Sequence, residues 1–126
     1  MIVITETIDG FDNYLSKRQL TFDAVIIGGA ALNLLGVVSR LTRDCEVLDP
    51  NITQEVLLAS EEYATDLILK NPKSLIQKNW LNNEPADLKN NLPKGWGSRL
   101  QSVYRGKAIR FQSLGYLDLL KTKLYA

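Results

Sequence analysis

The run Phe22-Asp-Ala-Val-Ile-Ile27 stops on Gly28-Gly29 and is followed at once by Ala30-Ala-Leu-Asn-Leu-Leu35 and Gly36. A β-rich apolar run of this length reads as a buried strand. The Ala/Leu stretch behind it reads as a short helix over 30–35, with Gly36 placed to cap it. A strand that turns directly into a helix through two glycines excludes purely helical and purely β architectures. It also brings a backbone that a phosphate can approach closely to the free N–H groups of a helix start.

The rest of the chain is read around that turn. Ile8, Phe11 and Leu15 share one face of an amphipathic helix over 8–19, with Asn13 and Lys17 on the other. Asp44 to Leu48 reads as a second strand, closed by Asp49-Pro50. Thr53 to Lys70 carries Val56, Leu57, Ala64, Leu67 and Ile68 at helical spacing, and Pro72 bars its extension. Residues 82–97, rich in Asn, Pro and Gly, read mostly as loop. Arg99–Tyr104 and Ala108–Ser113 read as a hairpin around Arg105-Gly106-Lys107, and Tyr116–Ala126 as a last helix. The expected fold class is α/β (α+β), a small mixed sheet flanked by helices, in one domain over 1–126. At 126 residues and 45% hydrophobic, such a domain needs no staple.

The chain has no His and one Cys. Ser-His-Asp triads, Cys-His pairs, His-containing zinc sites and intrachain disulfides are therefore excluded. A single thiol and the lack of a signal-like or lipidation motif at the start fit a cytoplasmic location. The most apolar stretch, Ala24 to Val38, is too short and too interrupted by glycine to span a membrane. Charge is unevenly placed. Residues 1–93 hold 8 basic and 13 acidic side chains, a net of −5; residues 94–126 hold 7 basic and 1 acidic, a net of +6. The C-terminal third reads either as an anion-facing surface or as a solvated basic face that offsets an acidic one.

Asp44 and Glu46 stand two apart on the expected second strand, so both carboxylates point to one face and Cys45 to the other. Two convergent carboxylates can hold Mg²⁺. About 1.5 such pairs are expected by chance in a chain with 14 acids, so the pair matters only because it follows the glycine turn. Cys45 reads as a core residue, since no His can activate it. Trp80 and Trp96 read as packing residues, Arg99 as a surface or salt-bridging residue, and Asp118 as an acid at a helix start. A dinucleotide-binding turn read from Gly28 would need Gly at the positions of Ala30 and Asn33, and both fail.

The order Gly28-Gly29, short helix, Gly36, Arg40-Leu-Thr42-Arg-Asp44-Cys-Glu46 resembles the minimal nucleotidyltransferases. More narrowly it resembles the nucleotidyltransferase-like proteins related to AbiEii-type toxins of toxin–antitoxin systems. Leu92-Pro-Lys-Gly-Trp-Gly-Ser-Arg-Leu100 is similar to a Leu-Pro-x-Gly-Trp-x-x-Arg-Leu segment of some members. Leu117-Asp-Leu-Leu-Lys-Thr-Lys123-Leu-Tyr-Ala126 is similar to their late helix. The resemblance runs from about residue 8 to the end. It implies a protein that binds a nucleoside triphosphate with Mg²⁺ and transfers a nucleotide to an RNA or protein acceptor, with a cognate antitoxin as a protein partner and no membrane partner. Gly28 and Gly29 would hold the triphosphate, Asp44 and Glu46 the metal, and Lys123 would stand near the phosphates. Arg40 could reach a phosphate, while Thr42 would shape the turn into the strand. Two departures are expected to matter. Glu46 stands where many members have Asp. The Arg-x-x-Asp segment that follows the late helix in relatives, and supplies a further carboxylate, is absent before the chain ends at Ala126. The expectation is therefore twofold: an active transferase in a shortened form, or a catalytically incomplete nucleotidyltransferase-fold interaction module.

Overall fold

The computed structural model describes residues 4–36 and 42–125, with side chains to Thr122. The elements run α1 (Ile4–Lys17), β1 (Phe22–Ile27), α2 (Gly28–Leu34), β2 (Cys45–Asp49), α3 (Gln54–Lys70), β3 (Leu81–Asn82), β4 (Gln101–Arg105), β5 (Ile109–Ser113) and α4 (Tyr116–Tyr125). Two 3-10 segments, Glu84–Asn91 and Trp96–Ser98, occupy most of the stretch expected to be loop. The strands form one mixed sheet in the order β3-β2-β1-β5-β4. β1 is central: antiparallel to β2 and parallel to β5. The α/β reading holds.

The boundaries that shifted have local causes. α1 begins one turn earlier than expected because Ile4 and Thr7 join Ile8, Phe11 and Leu15 on the buried face. It ends at Lys17 because the chain turns there: the Arg18 and Gln19 amides bond back to the Leu15 and Ser16 carbonyls, and Gln19 adopts φ 58°. Thr53 lies outside α3 as its N-cap, its hydroxyl oxygen accepting from the Val56 amide at 3.3 Å. Gly36 follows α2 with φ +75° and donates to the Asn33 carbonyl, which is the expected cap.

The two faces of the sheet differ. Phe22, Ala24 and Ile26 of β1 register with Ile109, Phe111 and Ser113 of β5, and all six are buried. Phe22 meets Phe111 edge to face at 5.7 Å. α1 and α3 pack on this side, joined by Phe11, Tyr63 and Trp80. The Trp80 indole donates to the Ser60 carbonyl at 3.1 Å, so the ring is a satisfied core residue, and Trp96 also packs against the core. Among the described residues, the other face is covered at one end, by the Glu84–Asn91 segment and α4. Asp23 and Arg110 lie open there, paired in register. No helix among the described residues is long and apolar enough to cross a membrane.

Asp12 ties the hairpin to α1. The residue is 5% exposed, and its carboxylate accepts the backbone N–H groups of Lys107, Ala108 and Ile109 at 2.9, 2.8 and 2.8 Å. A side chain on Gly106 would overlap that carboxylate, so the turn requires glycine for space.

Candidate active site

β1 delivers Gly28 and β2 delivers Glu46 to the same place, because Ile27 pairs with Glu46 across the two strands. Gly28 adopts φ +75°, a conformation that an L side chain resists. A Cβ at this position would also overlap Glu46 Oε2. The Glu46 carboxylate thus lies against the Gly28 backbone; a side chain at position 28 is strained by the backbone conformation and would displace that carboxylate. Gly29 opens α2 against Thr42: a Cβ there would stand 2.8 Å from Thr42 Oγ1. The Thr42 hydroxyl makes a long hydrogen bond to the Asp44 carbonyl at 3.5 Å, so Thr42 sits in the turn that leads into β2. No side chain caps the start of α2.

Asp44 is exposed and stands one residue before β2, not on it as expected; Cys45, the first strand residue, is fully buried. The strand runs one residue later than expected because Cys45, Val47 and Leu48 carry the burial and Asp49 pairs with Val25. Burial pushes the Cys45 thiol far above its usual range, and the charges of Glu46 and Asp44 push it further, so it stays protonated and inert.

A cleft of about 320 Å³ opens over Gly28, walled by Ile27, Glu46, Glu84, Pro85, Leu88 and Thr122. Glu84 is the residue that sequence reasoning missed. It arrives because β3 pairs parallel to β2 with Asn82 opposite Glu46, and the Asn82 side chain then accepts the Glu84 amide at 3.1 Å. The Asn-Asn-Glu-Pro run signals a turn and a helix start. Nothing in it signals that the turn faces residue 46. The Glu46 carboxyl is held above its usual value by partial burial and by the neighbouring negative charges of Asp44 and Glu84.

This donor set fits Mg²⁺ in the way that ion is usually held, with one or two protein carboxylates and the remaining positions left to water and phosphate oxygens. Crowded carboxylate charge at Glu46 is what a cation would relieve. Among the described residues, no group of three or more acidic or thiol side chains is gathered tightly enough to hold a metal alone. Arg40 lies outside the described residues. Lys123 is on α4, but its side chain is outside them as well.

The Leu92–Leu100 segment has a structural task. Arg99 donates from Nε and Nη2 to the two oxygens of Asp118, at 2.8 and 3.1 Å, and from Nη1 to the Lys94 carbonyl at 3.0 Å. Asp118 therefore answers Arg99 as well as sitting in the first turn of α4. Gly115 is required by the close approach of the Arg99 backbone: a Cβ there would stand 2.9 Å from the Arg99 carbonyl oxygen. The segment clamps α4, and with it the Thr122 wall of the cleft.

No curated protein and no solved structure matches the chain. A family comparison does, over residues 5–126, and so includes the glycine turn, Glu46 and α4. The chain belongs to the family described as nucleotidyltransferase of unknown function (DUF6036).

Proposed function

We propose that the Gly28–Glu46 cleft binds a nucleoside triphosphate with Mg²⁺ and passes its nucleotidyl group to an acceptor hydroxyl of RNA or of a protein side chain. The observation that carries this reading is the close approach of the Glu46 carboxylate to the bare Gly28 backbone, held at φ +75°. Gly28 and Gly29 lay the triphosphate against the start of α2, which no side chain caps. Asp44 and Glu46 would hold the metal, and Glu84, which also lines the cleft, would add negative charge beside it. The ion supplies charge neutralisation of the phosphates and orientation of the attacking oxygen. The acceptor oxygen bonds to the α-phosphorus, pyrophosphate leaves, and the acceptor proton passes to solvent. Thr42 shapes the turn into β2, Arg40 would reach a phosphate, and Lys123 would stand near the phosphates. By its resemblance to AbiEii-type proteins, the chain acts in the cytoplasm as the toxin of a toxin–antitoxin system and is restrained by a cognate antitoxin.

One observation favours a second reading. The cleft over Gly28 is lined by Glu46 and Glu84 but not by Asp44, and no three acids gather among the described residues, which suits a nucleotidyltransferase-fold interaction module without catalysis. Calorimetric titration of the four nucleoside triphosphates separates the two, with Mg²⁺ and with chelator, on wild type and Asp44→Asn. Binding that needs both Mg²⁺ and Asp44 supports the transferase. No binding by the folded wild type supports the module.

A further inference from the structure

The uncovered part of the second sheet face is a shallow depression of about 460 Å³, bordered by Asp23, Asp49, Ser102, Arg105, Arg110 and Gln112. The strand registers lay these side chains in two rows. Asp23, Arg110 and Arg105 form one row across β1, β5 and β4. Asp49, Val25, Gln112 and Ser102 form the next, across β2, β1, β5 and β4. Asp49 is already paired with Lys89 at 3.1 Å. Arg105 and Arg110 are exposed and have no ion pair or hydrogen bond from their side chains to any described residue. Asp23 stands beside Arg110 and offsets one of the two arginines. Lys89 balances Asp49, so the two arginines against Asp23 leave the face with a small positive excess.

The face also points to the cleft. Ile27 and Glu46 follow Val25 and Asp49 on the same side of the sheet, four residues along β1 from Asp23. At strand spacing this puts the arginine row about 13 Å from the cleft, roughly two nucleotides of an extended strand. Planar guanidinium groups suit phosphate, and Gln112 and Ser102 offer hydrogen-bonding side chains between the arginines and the cleft.

We infer that this open sheet face is the track for a single-stranded polynucleotide acceptor, with Arg105 and Arg110 holding the phosphates about two nucleotides from the hydroxyl that reacts. This rests on the transferase reading above and names its acceptor class. An acidic protein segment could meet the same arginines, so the test distinguishes them.

The probe is a fluorescein-labelled oligoribonucleotide of mixed sequence, followed by anisotropy over a range of salt, with polyglutamate as the rival ligand. The double variant Arg105→Gln/Arg110→Gln is expected to bind the oligonucleotide at least about tenfold more weakly. Its log–log salt slope should fall by about 1.4, the share of two phosphate contacts on a single strand. Asp23→Asn, which removes the offsetting charge, is expected to bind more tightly, and a matching circular dichroism melt shows that each variant folds. Equal affinity of wild type and the double variant, or no gain from Asp23→Asn, overturns the inference. So does arginine-dependent binding of polyglutamate without binding of RNA. Nucleotide titration of the wild type is read separately. If it fails while RNA binding depends on the arginines, the transferase reading falls and the polynucleotide track stands. If it succeeds while RNA binding ignores them, the track falls alone.

Discussion

Arg99 and Asp118 meet as a two-pronged pair, Nε to Oδ2 at 2.8 Å and Nη2 to Oδ1 at 3.1 Å, and this pair sets where α4 starts. The guanidinium also reaches the Lys94 and Pro93 carbonyls, at 3.0 and 3.4 Å, so a single residue joins the Trp96 segment to the helix that walls the cleft. Lys has one nitrogen where Arg has three and cannot reproduce a planar fork. Arg99→Lys is expected to lower the melting temperature and to weaken Mg²⁺-dependent nucleotide binding together, and Arg99→Ala to do more of both. Thermal melts and calorimetry on the same preparations check this. An unchanged affinity in a destabilised Arg99→Lys would show that α4 does not shape the cleft.

Gly28 and Gly36 share φ +75°, which makes them a controlled comparison. No described atom lies within 4 Å of a Cβ built on Gly36, whereas one on Gly28 would overlap Glu46. Gly36→Ala is therefore expected to cost about 1 kcal/mol, from the backbone conformation alone. Gly28→Ala is expected to cost somewhat more, about 1–2 kcal/mol, and to abolish nucleotide binding, because the Glu46 carboxylate, the far end of a flexible side chain, must move off the backbone. Urea unfolding of the two variants reads the difference.

For Glu46, partial burial and the charges of Asp44 and Glu84 raise the folded pKa above its ordinary 4.5. The folded state then holds its proton more tightly than the unfolded chain. Stability from this group is present below 4.5 and is lost as pH rises through the folded pKa. Glu46→Gln, measured with chelator, should melt higher than wild type near neutral pH, by less than about 1 kcal/mol because the group is partly in solvent. The two should converge in acid. In the presence of Mg²⁺, the same substitution should remove nucleotide binding. A Glu46→Gln chain that melts no higher than wild type at neutral pH would deny the charge crowding on which the metal reading leans.

Asp12 gives the opposite sign. Burial alone would raise its pKa, but the amides of Ala108, Lys107 and Ile109, with the Lys107 charge, outweigh it and hold the carboxyl below 3.8. Its contribution is present above 3.8 and is lost as pH falls through the lower folded value. Asp12→Asn should cost about 2–3 kcal/mol near neutral pH, since three amides lose a charged acceptor, and the cost should shrink in acid. Denaturant midpoints over a pH series test both the size and the sign.

Much of the architecture was legible in the chain. The β1 bounds were those expected, and the turn at Gly28, the cap at Gly36 and the burial of Cys45 followed from local rules that a few neighbouring residues obey. Helix ends drifted by up to a turn, because whether Ile4 or Thr7 counts as apolar face depends on what packs against it. The 3-10 segment at Glu84 reads as loop in the sequence: its Asn and Pro residues mark a turn, but its conformation is set by docking beside β2.

The sequence by itself determined the α/β class, the glycine turn and the acidic pair that follows it, because these depend on residue type, spacing and backbone conformation over short distances. Only the tertiary structure decided that Glu84 faces Glu46, that Arg99 clamps Asp118, and that Arg105 and Arg110 share an open row with Asp23. Those relationships depend on which strands pair and in what register, and strand pairing joins residues that no local pattern connects.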